Sequence, residues 1–435
     1  MELKIEKLIY GGDGLARLPA DERGRGKAVF LPFVLPEERV DAAILEQKPG
    51  FARARADKIL EPSPHRIEPG CRYFGACGGC HYQHTDYEQQ LAIKADILKE
   101  NLRRLAKVEL AGILHVHPSP PWNYRNRTRL RVQTLPAFAV GFYKFNSHEL
   151  LAVEECPISS PLINRAISVL WKLGRDGVIL PGVAEIEFFA DAEDSRLVAE
   201  LFCTPETDAS AVQQWGERVQ SELPELSGLV AFAETHRAGR EVPAAEPKRI
   251  AVIGSPELTY TAADGSYRVS AGSFFQVNRH LTGKLVSIVT RGRSGRAALD
   301  LYAGVGLFST ALASNFHHIV AVESSQNSHS DLQYNSPANV KAVRATVEQY
   351  LAKKADKFRP ELVVVDPPRS GLGDKIASSL AKAGAPRVTY VSCDPATLAR
   401  DLKPFLTAGY RLDEVHLVDL FPQTFHLESV VQLVR

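Results

Sequence analysis

Cys393 is a lone thiol set directly after the apolar run Val388 to Val391 and directly before the helix start DPATLARDL. Asp394 can cap that helix, and Pro395 suits its first turn, where a missing N–H has no partner to lose. A thiol at a strand end, facing a helix N-terminus, is placed to react; the helix end raises its thiolate share and Asp394 works against it. Taken alone, the segment leaves a buried, inert cysteine open beside a nucleophile. Gly304 and Gly306 in LDLYAGVGLFS let the backbone bend tightly and approach a ligand. Glu323, 17 residues past Gly306, ends the next strand, where an acid can hold both ribose hydroxyls. Without the third glycine of a dinucleotide fingerprint, this spacing favours an adenosine-type ligand lacking pyrophosphate, S-adenosylmethionine being the obvious one. Asp366 ends another apolar run, and the two prolines behind it stiffen the loop and remove backbone donors.

Other cysteines form a second set. Cys71, Cys77 and Cys80 have gaps of five and two residues, and Cys156 follows after 75 more. Three close thiolates plus one distant fit an iron–sulfur cluster better than a zinc finger, whose ligands come as two close pairs. Zinc and unliganded thiols stay open, and spacing alone resembles a plant-type two-iron site with a longer first gap. Cys203, in the apolar LVAELFCT, reads as core. Arg125, Arg127, Arg129 and Arg131 stand two apart with no acid between them, so a strand would set four guanidinium groups on one face. Their mutual repulsion favours an anionic partner such as phosphate over a plain solvent-exposed edge.

These groups must be positioned by elements that a chain of 435 residues can divide among about three domains. Residues 1–62 alternate short apolar runs with turns, as expected of a small β-barrel that binds nucleic acid, with Lys48, Arg53, Arg55 and Lys58 around Phe51. Residues 63–262 begin with the cysteines, continue through a helical stretch near HTDYEQQLAIKADIL, and then mix strands with helices. Residues 263–435 alternate apolar strands with helical segments, the pattern of a parallel, doubly wound α/β sheet of Rossmann-like type. Lys and Arg total 52 against 51 acidic residues, so nucleic-acid binding has to come from local patches rather than a global field. No basic-then-apolar leader opens the chain and no apolar run approaches the roughly 20 residues of a membrane span. A cytoplasmic protein without a membrane partner is expected, and its cysteines are there more readily ligands or catalysts than disulfides.

SFFQVN, LDLYAGVG, VVDPPRSG, VSCDPATLARDL and FPQTFHLESVV occur in this order. With them, the C-terminal third resembles the S-adenosylmethionine-dependent RNA 5-methyluridine methyltransferases. The N-terminal unit resembles a TRAM domain, and CRYFGACGGCHYQH resembles the iron–sulfur motif of that family's ribosomal-RNA branch. The resemblance implies a pocket for S-adenosylmethionine and the uracil ring formed by Gln276, Tyr302, Glu323 and Asp366 with Gly304 and Gly306. It makes Cys393 the nucleophile, Glu428 the base, and Cys71, Cys77, Cys80 and Cys156 the ligands of a 4Fe–4S cluster. The implied chemistry is coherent: C5 of uracil is too weak a nucleophile unaided, and addition of a thiolate to C6 turns the ring into an enolate. A base must then take the C5 proton so that the cysteine can leave. RNA is the implied partner, with 23S ribosomal RNA ahead of transfer RNA, and no obligate protein partner is implied. A non-catalytic iron–sulfur redox sensor that binds RNA is the competing reading from another class. Ala303, Leu307 and Thr346 depart from the family pattern where adenosine is held. His84 reads as a second-sphere or surface residue beside the cluster, and His426 as a group that orients Glu428 or the substrate.

Overall fold

The computed structural model describes residues 1–19, 26–110, 112, 114–233, 248–263, 265–354 and 359–435. At the N-terminus six strands pair in the order Glu2–Lys4, Arg39–Gln47, Phe51–Glu61, Ala28–Leu31, Gly14–Arg17, Lys7–Leu8. The period of two is plain in Phe51–Glu61. Ala52 and Ala54 point into a core of Ile5, Val29, Leu31 and Val40, while Arg53 and Arg55 face out. Lys48 and Arg53 flank the Phe51 ring with their charges 5.6 and 5.8 Å from its centroid.

A seven-stranded sheet follows, running from Leu150–Ala152 through Ala139–Tyr143, Arg127–Gln133, Val183–Ala190, Leu197–Cys203 and Leu226–Ala233 to Arg249–Gly254. Cys203 is fully buried in its core. Here the expectation of a free arginine face is corrected. The antiparallel neighbour Val183–Ala190 lays Glu185 and Glu187 against the row. Arg127 meets Glu187 at 3.1 Å, Arg129 meets Glu187 at 2.8 Å, and Arg131 pairs with Glu185 at 2.5 Å. Acids more than 50 residues away in sequence neutralise the row, so no unpaired charge is left there to grip phosphate.

The C-terminal sheet has eight strands. Five are parallel, in the order Val340–Arg344, Phe316–Glu323, Gly295–Leu301, Leu362–Val365, Arg387–Ser392. The last strand, Glu428–Val434, then inserts antiparallel between Arg387–Ser392 and Arg411–Val418, and Leu114–His117 completes the edge. The sheet is therefore mixed rather than wholly parallel. Alternate residues of its strands feed two cores. Leu299, Leu301 and Val363 pack with the helices Tyr87–Asn101, Gly373–Ala383 and Pro395–Thr407; Ala298, Leu362 and Val364 pack with Thr282–Thr290 and Leu307–Leu312. The stretch from Tyr87 to His117, expected in the central region, thus lends a helix and a strand to this sheet.

Within that helix Lys94 is fully buried. It donates to Asp419 Oδ1 at 2.6 Å and to the Phe421 carbonyl at 2.9 Å, and Tyr87 holds the other Asp419 oxygen at 2.9 Å. A buried ion of either sign is costly unless paired, and here each pays the other's desolvation. The pair fastens the start of the loop 419–427 that leads into the last strand.

Candidate active site

Strand ends and loops at the carboxyl edge of this sheet enclose a cavity of about 610 Å³. Gly295–Leu301 runs into Tyr302, which is left-handed at φ 62° despite its Cβ, a strain of about 1–3 kcal/mol that tends to persist at functional sites. Gly304 continues the turn at φ 56° with open space where a Cβ would stand. Gly306 does not line the cavity. It precedes the helix Leu307–Leu312, donates to the Ala303 carbonyl at 2.9 Å, and a Cβ there would meet Leu332 at 2.9 Å. Glu323 accepts from the Gly304 and Ser325 N–H groups at 3.0 and 2.7 Å, one on each oxygen, which leaves lone pairs for two hydroxyls. Thr346 is exposed and caps the helix Val347–Lys354 in a reciprocal bond with Gln349.

Asp366 follows Leu362–Val365, and its loop is held from the helix behind Cys393. Asp401 Oδ2 accepts from the Leu372 N–H at 2.6 Å and from the Tyr390 hydroxyl at 2.8 Å, while Arg400 donates to the Ser370 carbonyl at 2.7 Å. Gln276 reaches the cavity from a segment whose carbonyl accepts from buried Asn126 at 3.1 Å.

Cys393 and Glu428 are brought together by register. Ser392 faces Ser429 in the antiparallel pair, so one step further sets the thiol beside the carboxyl. Asp394 caps the following helix through the Ala396 and Thr397 N–H groups at 3.0 and 2.8 Å. The Cys393 carbonyl accepts from the Tyr10 hydroxyl at 2.9 Å, a contact supplied by the N-terminal sheet, and the Tyr10 ring meets Phe425 edge-on at 5.4 Å.

Protons are held tightly here. Burial, then Glu428 and Asp366, push the Cys393 thiol up to about 12, and Arg369 is the group that opposes them. Burial and Asp300 raise Asp366 to about 7, and Asp300, fully buried beneath, is raised to about 7 by burial itself. Glu428 lies well above the carboxylate range because it is buried and stands near Asp366. His426 is lowered to about 3, chiefly by burial and then by Arg369, whose guanidinium stands 3.4 Å from its Nε2. It lines the cavity as a neutral ring.

Gln276, Tyr302, Gly304, Glu323, Asp366, Cys393 and Glu428 all line this cavity. Arg369, Phe274 and Phe421 also line it, and sequence reasoning assigned them no role. Arg369 follows the two prolines that marked the loop, and exposed Phe274 sits in SFFQVN, so both were within reach. Tyr10 carried no signal.

Cys71, Cys77, Cys80 and Cys156 line a separate cavity of about 240 Å³ with Phe74, Phe142 and Ile158. Cys71 N–H donates to Gln83 at 3.0 Å and Cys156 N–H to Asn164 at 2.7 Å, which fixes both ends of the set. Burial raises the Cys77 thiol to about 11, and Cys156 and Cys71 add to the rise. Among the described residues no three His, Cys, Asp or Glu side chains converge closely enough to hold a single metal ion. His84 is not at the surface: it is buried against Phe33 and Phe74 and lowered by that burial to about 4. The two cavities are joined through Gln423, whose carbonyl accepts from the His81 and Tyr82 N–H groups at 2.8 and 3.0 Å. Gln90 binds the Gln423 N–H and side chain, at 2.9 and 3.0 Å.

Residues 86–435 match the family described as tRNA (uracil-5-)-methyltransferase, and residues 1–56 match the TRAM domain. An uncharacterized RNA methyltransferase of Aquifex aeolicus is 34% identical over 100% of this chain and 98% of its own. One of Streptomyces coelicolor is 33% identical over 99% of this chain and 92% of its own. Among solved structures, the tRNA (uracil-54, C5)-methyltransferase of Pyrococcus abyssi, in complex with S-adenosyl-L-homocysteine, aligns with a TM-score of 0.74. It covers 100% of both chains at 22% identity, a likeness of fold.

Proposed function

The chain belongs to the tRNA (uracil-5-)-methyltransferase family, S-adenosylmethionine-dependent enzymes that act on RNA, and we propose that Cys393 adds to C6 of its target uridine while Glu428 takes the C5 proton. The single observation that carries this reading is the register of the last strand, which sets a buried carboxyl beside a half-buried thiol at the rim of a ligand-sized cavity. Family membership removes the ground for a non-catalytic redox sensor.

Glu323 is the group for the ribose hydroxyls of the donor, with Tyr302 and Gly304 walling its approach; Gln276 and Asp366 stand on the uracil side. The bound donor supplies a methyl group on a positively charged sulfur. Cys393 loses its proton and bonds to C6, which leaves C5 electron-rich enough to take that methyl group. Glu428 then removes the C5 proton, the C6–sulfur bond breaks, and the thiolate is regenerated. Arg369 is the cation at hand to favour the ionised forms of all three acids. Flipping the base from a folded RNA costs a few kcal/mol. Stacking on an exposed ring such as Phe51 offsets it by about 1–3 kcal/mol per base.

For the second cavity we favour a 4Fe–4S cluster held by Cys71, Cys77, Cys80 and Cys156. Zinc would draw its thiolates to about 2.3 Å from one point, which this set does not approach, whereas a cluster spreads four thiolates over several metals. The four cysteines also support ribosomal RNA as the target, since the sequence likeness ties them to that branch. Transfer RNA is the second reading, supported by the likeness to the Pyrococcus abyssi enzyme.

The test uses 5-fluorouridine-substituted transcripts of 23S ribosomal RNA and of transfer RNA. Fluorine cannot leave C5 as a proton does, so the proper RNA becomes trapped on Cys393, and a mapped peptide–nucleotide adduct is the expected result. An adduct on another residue, or none with either RNA while methyl transfer proceeds, would refute the proposed roles.

A further inference from the structure

The strand that ends at Cys393 begins at Arg387, and roughly 20 Å of extended chain separates the two. Around Arg387 lies a groove of about 580 Å³ that the transfer chemistry does not use. Lys284, Arg291 and Arg293 enter it from the helix Thr282–Thr290 and the turn behind it. Among the described residues none of these four cations has a carboxylate partner, in contrast to Arg127, Arg129 and Arg131. The two acids of the groove are turned elsewhere: Asp413 to Arg411 at 3.8 Å, and Glu414 to His416 at 3.2 Å.

Arg293 is the telling member. It is only 9% exposed, yet its Nε has no hydrogen-bond partner. A buried guanidinium left without an acceptor is costly, and an oxyanion in the groove would satisfy it. Burial and Arg387 together pull Arg293 below its usual range, as expected of a cation that lacks its anion. Three imidazoles add donors along one wall. His115 and His117 each stack on His416, with centroids 5.1 and 5.3 Å apart, and His117 Nε2 meets His416 Nδ1 at 3.0 Å. A volume of this order takes a nucleotide-sized group rather than a lone ion. In a chain whose charges nearly cancel, such a local surplus is unusual.

We infer that this groove binds the phosphate backbone of the RNA substrate at a point remote from the base being modified. The inference rests on RNA as substrate and not on the roles of Cys393 and Glu428. Binding is read without methyl transfer, so the two readings fail separately.

The experiment measures the affinity of the intact protein for a mixed-sequence RNA of about 40 nucleotides across a salt series, since backbone contacts are independent of sequence. The exposed pair Arg291→Glu with Arg387→Glu is compared with Lys341→Glu and Lys353→Glu, an equal change of charge near the opposite edge of the sheet. The first pair is expected to weaken binding at least about tenfold and to flatten the slope of log affinity against log salt by about 1–2. The control pair should stay within about twofold of the parent. Melting temperature and S-adenosylhomocysteine binding, unchanged in both, exclude misfolding. Equal effects of the two pairs would overturn the inference, as would no effect of the first. A groove that loses only a melting shift induced by inorganic phosphate, with RNA affinity intact, would be a small-anion site and would overturn it too.

Discussion

The cavity beside Cys393 is about 610 Å³ and is walled by Asp366, Glu428 and Arg369; that of Cys71, Cys77, Cys80 and Cys156 is about 240 Å³ and has Phe74, Phe142 and Ile158 in its walls. In the first, one thiol stands among carboxyls that burial keeps protonated, which suits a place where a proton must be taken up and given back. In the second, four thiols stand close to one another, and each thiolate formed makes the next harder to form unless a cation arrives. What separates the sites is the company that each sulfur keeps. They still communicate, because Gln423 is bonded to the cysteine loop and lies five residues before Glu428.

The largest expected effect is at the single thiol. Cys393→Ser should reduce methyl transfer to background and abolish the 5-fluorouridine adduct while leaving iron content unchanged, as checked by metal analysis of the same preparation. Glu428→Gln should slow turnover by about 10²–10⁴-fold. In that variant the adduct with ordinary uridine RNA should accumulate, visible as a denaturation-resistant complex, because the C5 proton has lost its acceptor. If no complex builds up, Glu428 acts before addition and not after it.

Cys77→Ser should remove bound iron and visible absorbance, and lower the melting temperature by several degrees, while iodoacetamide still alkylates Cys393. Alkylation lost together with the iron would mean that the two cavities do not form independently. A pH series examines the acid side of the comparison. Folded Asp300 and Asp366 titrate near 7 against about 4 in an unfolded chain, so the native state binds more protons between those values. Their contribution to stability is full below pH 4 and is lost as pH rises through 7. The unliganded protein should therefore melt at a lower temperature at pH 8 than at pH 6, and Asp300→Asn should flatten that slope. The smallest effect is expected from Tyr10→Phe. Loss of one hydrogen bond to the Cys393 carbonyl is worth about 1 kcal/mol, roughly fivefold in kcat, with donor affinity unchanged in calorimetry.

Much of the catalytic sheet was legible because its strands are short apolar runs ending in marked residues. Gly304, Glu323, Asp366 and Cys393 each close such a run, and strand ends of this kind line the crevice of an open α/β sheet. What stayed hidden depends on pairing between distant segments. Nothing near ESVVQLV says that it inserts between Arg387–Ser392 and Arg411–Val418, and LHVH joins that sheet from some 300 residues away. The arginine row misled for the same reason, since its counter-charges lie on a neighbouring strand and not within the run. Lys94 looked like one more solvent cation on a helix until Asp419 was seen against it. Thr346 looked like a deviation in the adenosine site, whereas its local task is to cap a helix.

Side chains alternate across a strand, so the phase of Glu428–Val434 decides which of them meets the sulfur. A slip of one residue would put Leu427 or Ser429 there and leave a well-folded but silent protein. The loop 419–427 is free to change in length, provided that the parity of the strand it feeds is kept. Transplanting this site into another scaffold would thus require copying a ladder of backbone bonds before copying any side chain.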